Sequence, residues 1–209
     1  MIERGRRAGS LQRLLPISGI VGPSLYAIVV TVLGLLWPGY NPIRQYMSEL
    51  GAVDAPHAFV MNALGFQLLG ISMFAFGFGL YRCIGLGWES RIGVALIVVA
   101  GVSLVGVGLS PCDPGCMNVS TIGVRHTITA TIAPIAMTIG MFVISLGFRK
   151  DGQWENYWVF TRATAVIAMF LSPLPMLELF EPWAGLLQRL GMGLALFWIV
   201  ATAIKQLRM

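Results

Sequence analysis

The sequence predicts an all-α, polytopic integral membrane protein. Six transmembrane helices form one bundle, with a short re-entrant or interfacial helix in the first outer loop. Three observations carry this. Hydrophobic residues make up 56% of the chain, and the mean hydropathy is +0.78. Charged residues make up only 11%, where soluble domains carry about a quarter. Six apolar stretches, 14–37, 58–81, 92–110, 126–148, 157–176 and 185–205, are each long enough to cross a hydrocarbon core of about 30 Å. The spans take 131 of the 209 residues, and no loop between them exceeds 20, so no soluble catalytic domain fits. The chain is therefore expected to be a single membrane domain over 1–209, with any function seated in the bundle or its short loops.

Span one ends in Trp37-Pro38-Gly39 rather than in a small-residue cleavage site, so it reads as a membrane helix and not as a signal peptide. Spans one to four contain no Asp, Glu, Lys or Arg. Span five holds Arg162, and span six holds Arg189 and Lys205, all close enough to a span end to snorkel. With both termini cytoplasmic, eleven of the fourteen Lys and Arg face inward, and only Arg44, Arg125 and Arg189 face outward. This bias predicts a multi-pass protein of the cell membrane with both ends inside. It also accounts for the net charge of +5 without a nucleic-acid partner; the partners expected are membrane lipids and a small amphiphile.

Small residues recur at helix-packing intervals: Gly65, Ser72 and Gly79 in span two, Ala133, Gly140 and Gly147 in span four, Gly191 and Ala195 in span six. Such stripes let backbones approach closely in lipid, where packing replaces the hydrophobic effect. Asn62 and Gln67 point to opposite sides of span two, and each is expected to make one hydrogen bond to a neighbouring element. Ser172-Pro173-Leu174-Pro175 should end span five.

The outer loops concentrate the polar chemistry. Both histidines and five of the nine carboxylates lie there. In the first loop, Tyr46, Met47 and Leu50 alternate with Arg44, Ser48 and Glu49, the pattern of a short amphipathic helix stopped at Gly51. Asp54-Ala55-Pro56 reads as a cap with an early proline opening span two. Glu49 has no such capping excuse and should pair with an arginine or a histidine. In the third loop, Cys112 and Cys116 flank a turn in an oxidising compartment, which favours a disulfide, while Cys83 lies on the inner side and stays free. Thr127, Thr131, Pro134 and Thr138 form one stripe down span four below Arg125 and His126. The stripe is either self-satisfied by i−4 hydrogen bonds or the lining of a cavity.

Three elements carry a resemblance: Ser48-Glu49-Leu50-Gly51 after span one, Asp113-Pro114 after span three, and His126 at the head of span four. Through their order, the chain resembles over nearly its whole length the uncharacterised membrane family catalogued as domain of unknown function 998. The resemblance implies a six-helix membrane protein and no particular activity. The chain departs from the pattern in carrying cysteine on both sides of its Asp-Pro turn.

Three readings of the outer cluster stand open. It binds a lipid head group or small molecule, with Arg44, His57, Arg125 and Thr131 as binding residues. It is a membrane-embedded hydrolase acting on an amphiphile, with Ser48 as nucleophile, His126 as base and Asp113 as orienter, or with Glu49 or His57 activating water instead. Or it is a network of ion pairs and caps without a ligand. A metal set of His57, His126, Glu49 and Asp113 lacks any His-x-x-x-His or His-Glu-x-x-His spacing, so no metal and no cofactor is expected.

Overall fold

The computed structural model describes residues 2–85 and 87–209, with side chains from Leu14 onward. It is helical throughout, with no strand among the described residues. Six main helices follow in order. They are α1 (Ile2–Leu36), α2 (Ala58–Cys83), α3 (Trp88–Leu109), α4 (Thr121–Phe148), α5 (Trp158–Leu171) and α6 (Ala184–Leu207). Six helical stretches are long and apolar enough to cross a membrane. They begin and end within a few residues of the expected spans, except that span three starts four residues early, span four five early and span six seven early.

Each helix packs on the next, and α6 returns to pack on α1, so the six close into a ring. Loops one, three and five lie at one end, here the mouth end. The termini and loops two and four lie at the other, the tail end. The outward surface is apolar: Leu35, Phe59, Leu109 and Leu179 are all more than 60% exposed. A soluble monomer does not leave an apolar surface that extensive, and lipid is its natural cover.

Two of the three small-residue stripes seat helices as expected. A side chain at Gly22 of α1 would collide with Ser72, and one at Gly79 would come 2.8 Å from Leu15. Gly140 meets the Gly93 carbonyl, and Gly147 meets Ser90, so this stripe fits α4 against α3. The closest crossing was not foreseen. A Cβ at Gly70 would lie 2.4 Å from the Gly101 carbonyl oxygen, so only glycine lets α2 and α3 touch there. The third stripe has a different use. Gly191 and Ala195 face an internal cavity, where their small size leaves space instead of closing it.

The tail end is closed by aromatic packing. Trp154 is fully buried, stacks on Phe148 at 4.4 Å, and carries the Lys205 ammonium 5.0 Å above its ring. Glu89, also buried, pairs with Lys150. Arg162 does more than snorkel. Its guanidinium lies 4.8 Å over the Trp158 ring, and its Nε donates to Ser145 Oγ at 3.1 Å.

Span two differs from a regular helix. Residues Met61–Gln67 are π-helical, a wide turn that in membrane and soluble proteins alike tends to mark functional regions. Span two starts at Ala58, as expected, but its cap differs from the one read in the sequence. Asp54 is exposed and caps nothing; His57 occupies the cap position, without a side-chain bond. Prolines 173 and 175 do end α5, which stops at Leu171.

Candidate functional site

Loop one is built onto the mouth from three directions. Its short helix is a single 3-10 turn, Met47–Gly51, and all five residues are buried, the polar Ser48 and Glu49 included. The turn is packed as a plug inside the mouth, with its polar side chains buried as well as its apolar ones. Tyr46 Oη donates to the Pro175 carbonyl of loop five at 2.8 Å. The Met47 amide donates to Gln188 Oε1 of α6 at 2.6 Å. Asn62, in the π-helical turn of α2, donates to the Gly51 carbonyl at 2.8 Å. A Cβ on Gly51 would lie 2.5 Å from that asparagine, so glycine here serves close approach, not a left-handed helix stop. Gln67 reaches the Gly108 carbonyl of α3 at 3.1 Å, completing the expected pair of bonds from α2.

Glu49 makes no ion pair. Its carboxylate accepts the Tyr46 amide and Gln45 Nε2, each at 2.8 Å. Two neutral donors inside the same turn satisfy it locally, which removes the need for the arginine expected from sequence. Arg189 is likewise not paired with Glu178 or Glu181, which are exposed. Its Nη1 donates to the carbonyls of Pro42, Gln45 and Gly185 at 2.7, 3.0 and 2.9 Å, and its Nη2 to Tyr40 Oη. The arginine thus ties loop one to the start of α6. Tyr40 in turn donates to the Tyr46 carbonyl at 2.9 Å. Burial pushes the Tyr40 phenol above its ordinary value, and the neighbouring Arg189 charge offsets part of that rise.

Asp113 builds loop three. Its carboxylate accepts the Ser120 amide at 2.8 Å, the Val119 amide at 2.9 Å and the Ser120 hydroxyl at 2.7 Å. The same hydroxyl oxygen caps α4 by accepting the Gly123 amide at 3.0 Å. The hydrogen bonds from Ser120, then that from Val119, hold the Asp113 carboxyl below its usual range against the opposing effect of burial. Its contribution to stability is full above the ordinary carboxylate range and fades only as pH falls through the lowered value.

His126 is buried at the head of α4. Its Nδ1 lies 2.8 Å from the Ser110 carbonyl. A carbonyl only accepts, so Nδ1 carries the proton and Nε2 is left with a lone pair. Nε2 is buried and has no hydrogen-bond partner. Ser48 Oγ lies 3.3 Å from Cys116 Sγ and donates to it. Cys112 and Cys116 are joined in a disulfide, and Cys83 is free. The two sulfurs and one ring nitrogen of His126 all lie within 4.8 Å of one another.

The candidate residues therefore divide. Ser48, His126 and both cysteines converge. Asp113 sits one residue from Cys112, but its bonds go to Val119 and Ser120, so Ser48, His126 and Asp113 form no relay. Arg44, His57 and Arg125 are exposed. Among the described residues, the grouped metal-type donors are Cys112, Cys116 and His126, not the set of His57, His126, Glu49 and Asp113.

Beneath this convergence lies a cavity of about 470 Å³ inside the helix ring. Ser48, Cys116, His126, Thr127 and Gln188 form its upper wall. Phe66, Leu104, Ala133, Gly191 and Ala195 surround its middle, and Met73, Ala100, Met137 and Ile199 its floor. From His126 to Thr138 along α4 it descends about 18 Å at 1.5 Å per residue. The threonine stripe lines it, as one of the two sequence readings had it; the other holds for Thr138, whose Oγ1 donates to the Pro134 carbonyl at 2.8 Å, while Thr127 donates to Asn118. The residues that sequence reasoning missed are those of the wall, chiefly Gly191, Ala195 and Gln188. Their only signal was two small residues on the inner face of α6.

The family model described as "Protein of unknown function (DUF998)" matches residues 20–205. No curated protein and no solved structure matches the chain.

Proposed function

We propose that this chain, which belongs to the DUF998 family, binds one amphiphile in the ring cavity, its apolar chain among the methionines and leucines and its polar head at the mouth. The observation that carries this reading is the cavity itself. Its volume of about 470 Å³ falls in the 300–1,000 Å³ range of ligand pockets. Its wall is mostly apolar, with Met73, Ala100, Leu104, Ala133 and Met137 among the lining residues, which suits an apolar chain. Water is a poor filler, because most of the wall offers it no hydrogen bonds. A long apolar chain fills it without needing them. At the head, the Gln188 amide nitrogen offers a donor, and the free His126 Nε2 and the hydroxyl oxygens of Ser48 and Thr127 offer acceptors. Among the described residues no charged side chain lines the cavity, which favours a neutral or weakly polar head group over a phosphate.

Native mass spectrometry of the chain released from lipid nanodiscs tests this. One amphiphile per chain, retained at energies that strip surface lipid, is the expected result. Bare protein under every gentle condition would overturn it.

The mouth faces the outside of the cell membrane in this reading, with both termini in the cytoplasm; the Lys and Arg bias supports that orientation. A protease acting on sealed right-side-out vesicles should leave tags on either terminus intact. Cleavage of either tag would reverse the orientation.

A further inference from the structure

We propose that Cys112 and Cys116 are a redox couple, and that the amphiphile in the cavity is a lipid-soluble quinone which their dithiol form reduces. This rests on the cavity being a binding site. It adds the class of ligand and the reaction.

The argument starts from what the bridge does not need to do. It closes a loop with a sequence separation of 4, and short loops gain least from a cross-link. The loop is already held by three hydrogen bonds to Asp113. A merely structural bridge also needs neither a base nor a donor beside it. This one has both. Ser48 Oγ donates to Cys116 Sγ at 3.3 Å, an arrangement that favours negative charge on that sulfur. A His126 ring nitrogen lies within 4.8 Å of both sulfurs, and the imidazole holds a buried Nε2 with no partner. A buried acceptor left unpaired is costly, and a role in chemistry is one account of it.

The two sulfurs are not equivalent. Cys116 is half-buried and lines the cavity; Cys112 is 1% exposed and does not. Gly115 and Cys116 both adopt positive φ, 64° and 53°, and this left-handed pair sets the path by which the second cysteine returns beside the first. Cys116 is thus the sulfur that meets a carrier in the cavity, and Cys112 the one that resolves the adduct. In the reduced state, the Cys112 thiol is placed to donate to the Ser48 carbonyl, 3.4 Å from its sulfur.

The step balances as dithiol plus quinone giving disulfide plus hydroquinone. His126 Nε2 takes the Cys116 proton, and the thiolate adds to a ring carbon of the quinone. The proton passes from His126 to one quinone oxygen. Cys112 then loses its proton through His126 and attacks the Cys116 sulfur. The S–C bond breaks with its electron pair going to the ring, the second proton goes to the other oxygen, and hydroquinone leaves. Two electrons and two protons have moved from the thiols to the carrier. A quinone suits the cavity for the reasons that favour a neutral head group: a carbonyl accepts from the Gln188 amide, and its isoprenoid tail is apolar.

The experiment uses the full chain in nanodiscs on a Cys83→Ser background, so that only the pair titrates. The protein is reduced with dithiothreitol, freed of it under argon, and given a short-tailed benzoquinone. Hydroquinone absorbance and thiol labelling should show two thiols lost per quinone reduced. The rate should exceed that of the same concentration of free dithiothreitol at least tenfold. His126→Asn, whose amide can still donate to the Ser110 carbonyl, should slow the step about a hundredfold at neutral pH, the usual scale of general-base catalysis. That deficit should narrow as rising pH forms thiolate without a base. Two thiols that persist in excess quinone, or a rate no faster than free dithiol, would overturn the proposal whatever the variant does. Quinone retention by the Cys112→Ser/Cys116→Ser protein in native mass spectrometry separates the two failures. Binding without oxidation sinks the redox step alone, and no binding of quinone with another lipid retained sinks the choice of ligand but not the cavity reading.

Discussion

Arg189→Ala should free loop one from the mouth and raise amide exchange across residues 40–52 by roughly a hundredfold. The side chain makes four hydrogen bonds, three of them to backbone carbonyls of loop one and of the first turn of α6. It also covers the Tyr40 ring at 5.6 Å. Hydrogen bonds from a charged donor contribute about 1.5–3 kcal/mol each when buried. This guanidinium is half-buried, so a total of about 3 kcal/mol is the proper scale for losing the set, equivalent to that hundredfold change. Arg189→Lys keeps the charge but not the planar fork that serves several acceptors at once, and should fall between the two. Two backbone bonds, from Gly185 to Arg44 and from Leu186 to Ile43, remain and should keep the loop from unfolding altogether. Exchange that stays at the wild-type level in Arg189→Ala would mean that these two bonds, with those of Tyr46, Met47 and Asn62, seat the plug without the arginine.

The second large effect is expected at Gly191. This residue faces the cavity, and a Cβ there meets nothing closer than 3.7 Å. Gly191→Phe therefore has room for its first carbon and must direct its ring into the space. Displacing the equivalent of three or four methylenes of ligand, at ~0.8 kcal/mol each, costs about 3 kcal/mol of affinity, again near a hundredfold. Because the ring fills a void, the thermal midpoint of the ligand-free protein should hold or rise. That sign distinguishes blocking from misfolding. Gly193→Phe is the control: two residues along α6, exposed, with nothing within 4 Å, it should leave retention of the amphiphile unchanged. Equal loss in both variants would locate the effect in the helix rather than in the cavity.

The sequence allowed the six spans to be read because twenty consecutive apolar residues have few other uses. Two glycine stripes were legible for the same reason, since close backbone approach restricts a position to the smallest residues. The plug was only half legible. Its position after span one was clear, but its burial was not, because Glu49 finds its donors in Gln45 and Tyr46, and a carboxylate satisfied from its own turn looks in sequence like one awaiting an arginine. Arg189 misled in the opposite way: its partners are backbone carbonyls of a segment about 145 residues away, which no residue pattern encodes. Among the site candidates, Ser48, His126 and the cysteines were found because polar groups at membrane helix ends are few. The cavity was not, beyond the threonine stripe. Empty space is the product of six facing surfaces, and the same Gly191 and Ala195 that would pack one helix tightly against another here leave the centre of a ring open.

The central claim is that the ring holds one amphiphile with its head against Ser48 and His126. A side-chain-resolution map of the chain in lipid nanodiscs tests it most directly. The account predicts one elongated density inside the ring, starting beside His126 and running past Ala133 to Met137. A ring closed solid, with Met137 packed against Ile199 and Leu104 and no room between Gly191 and Ala133, would contradict it.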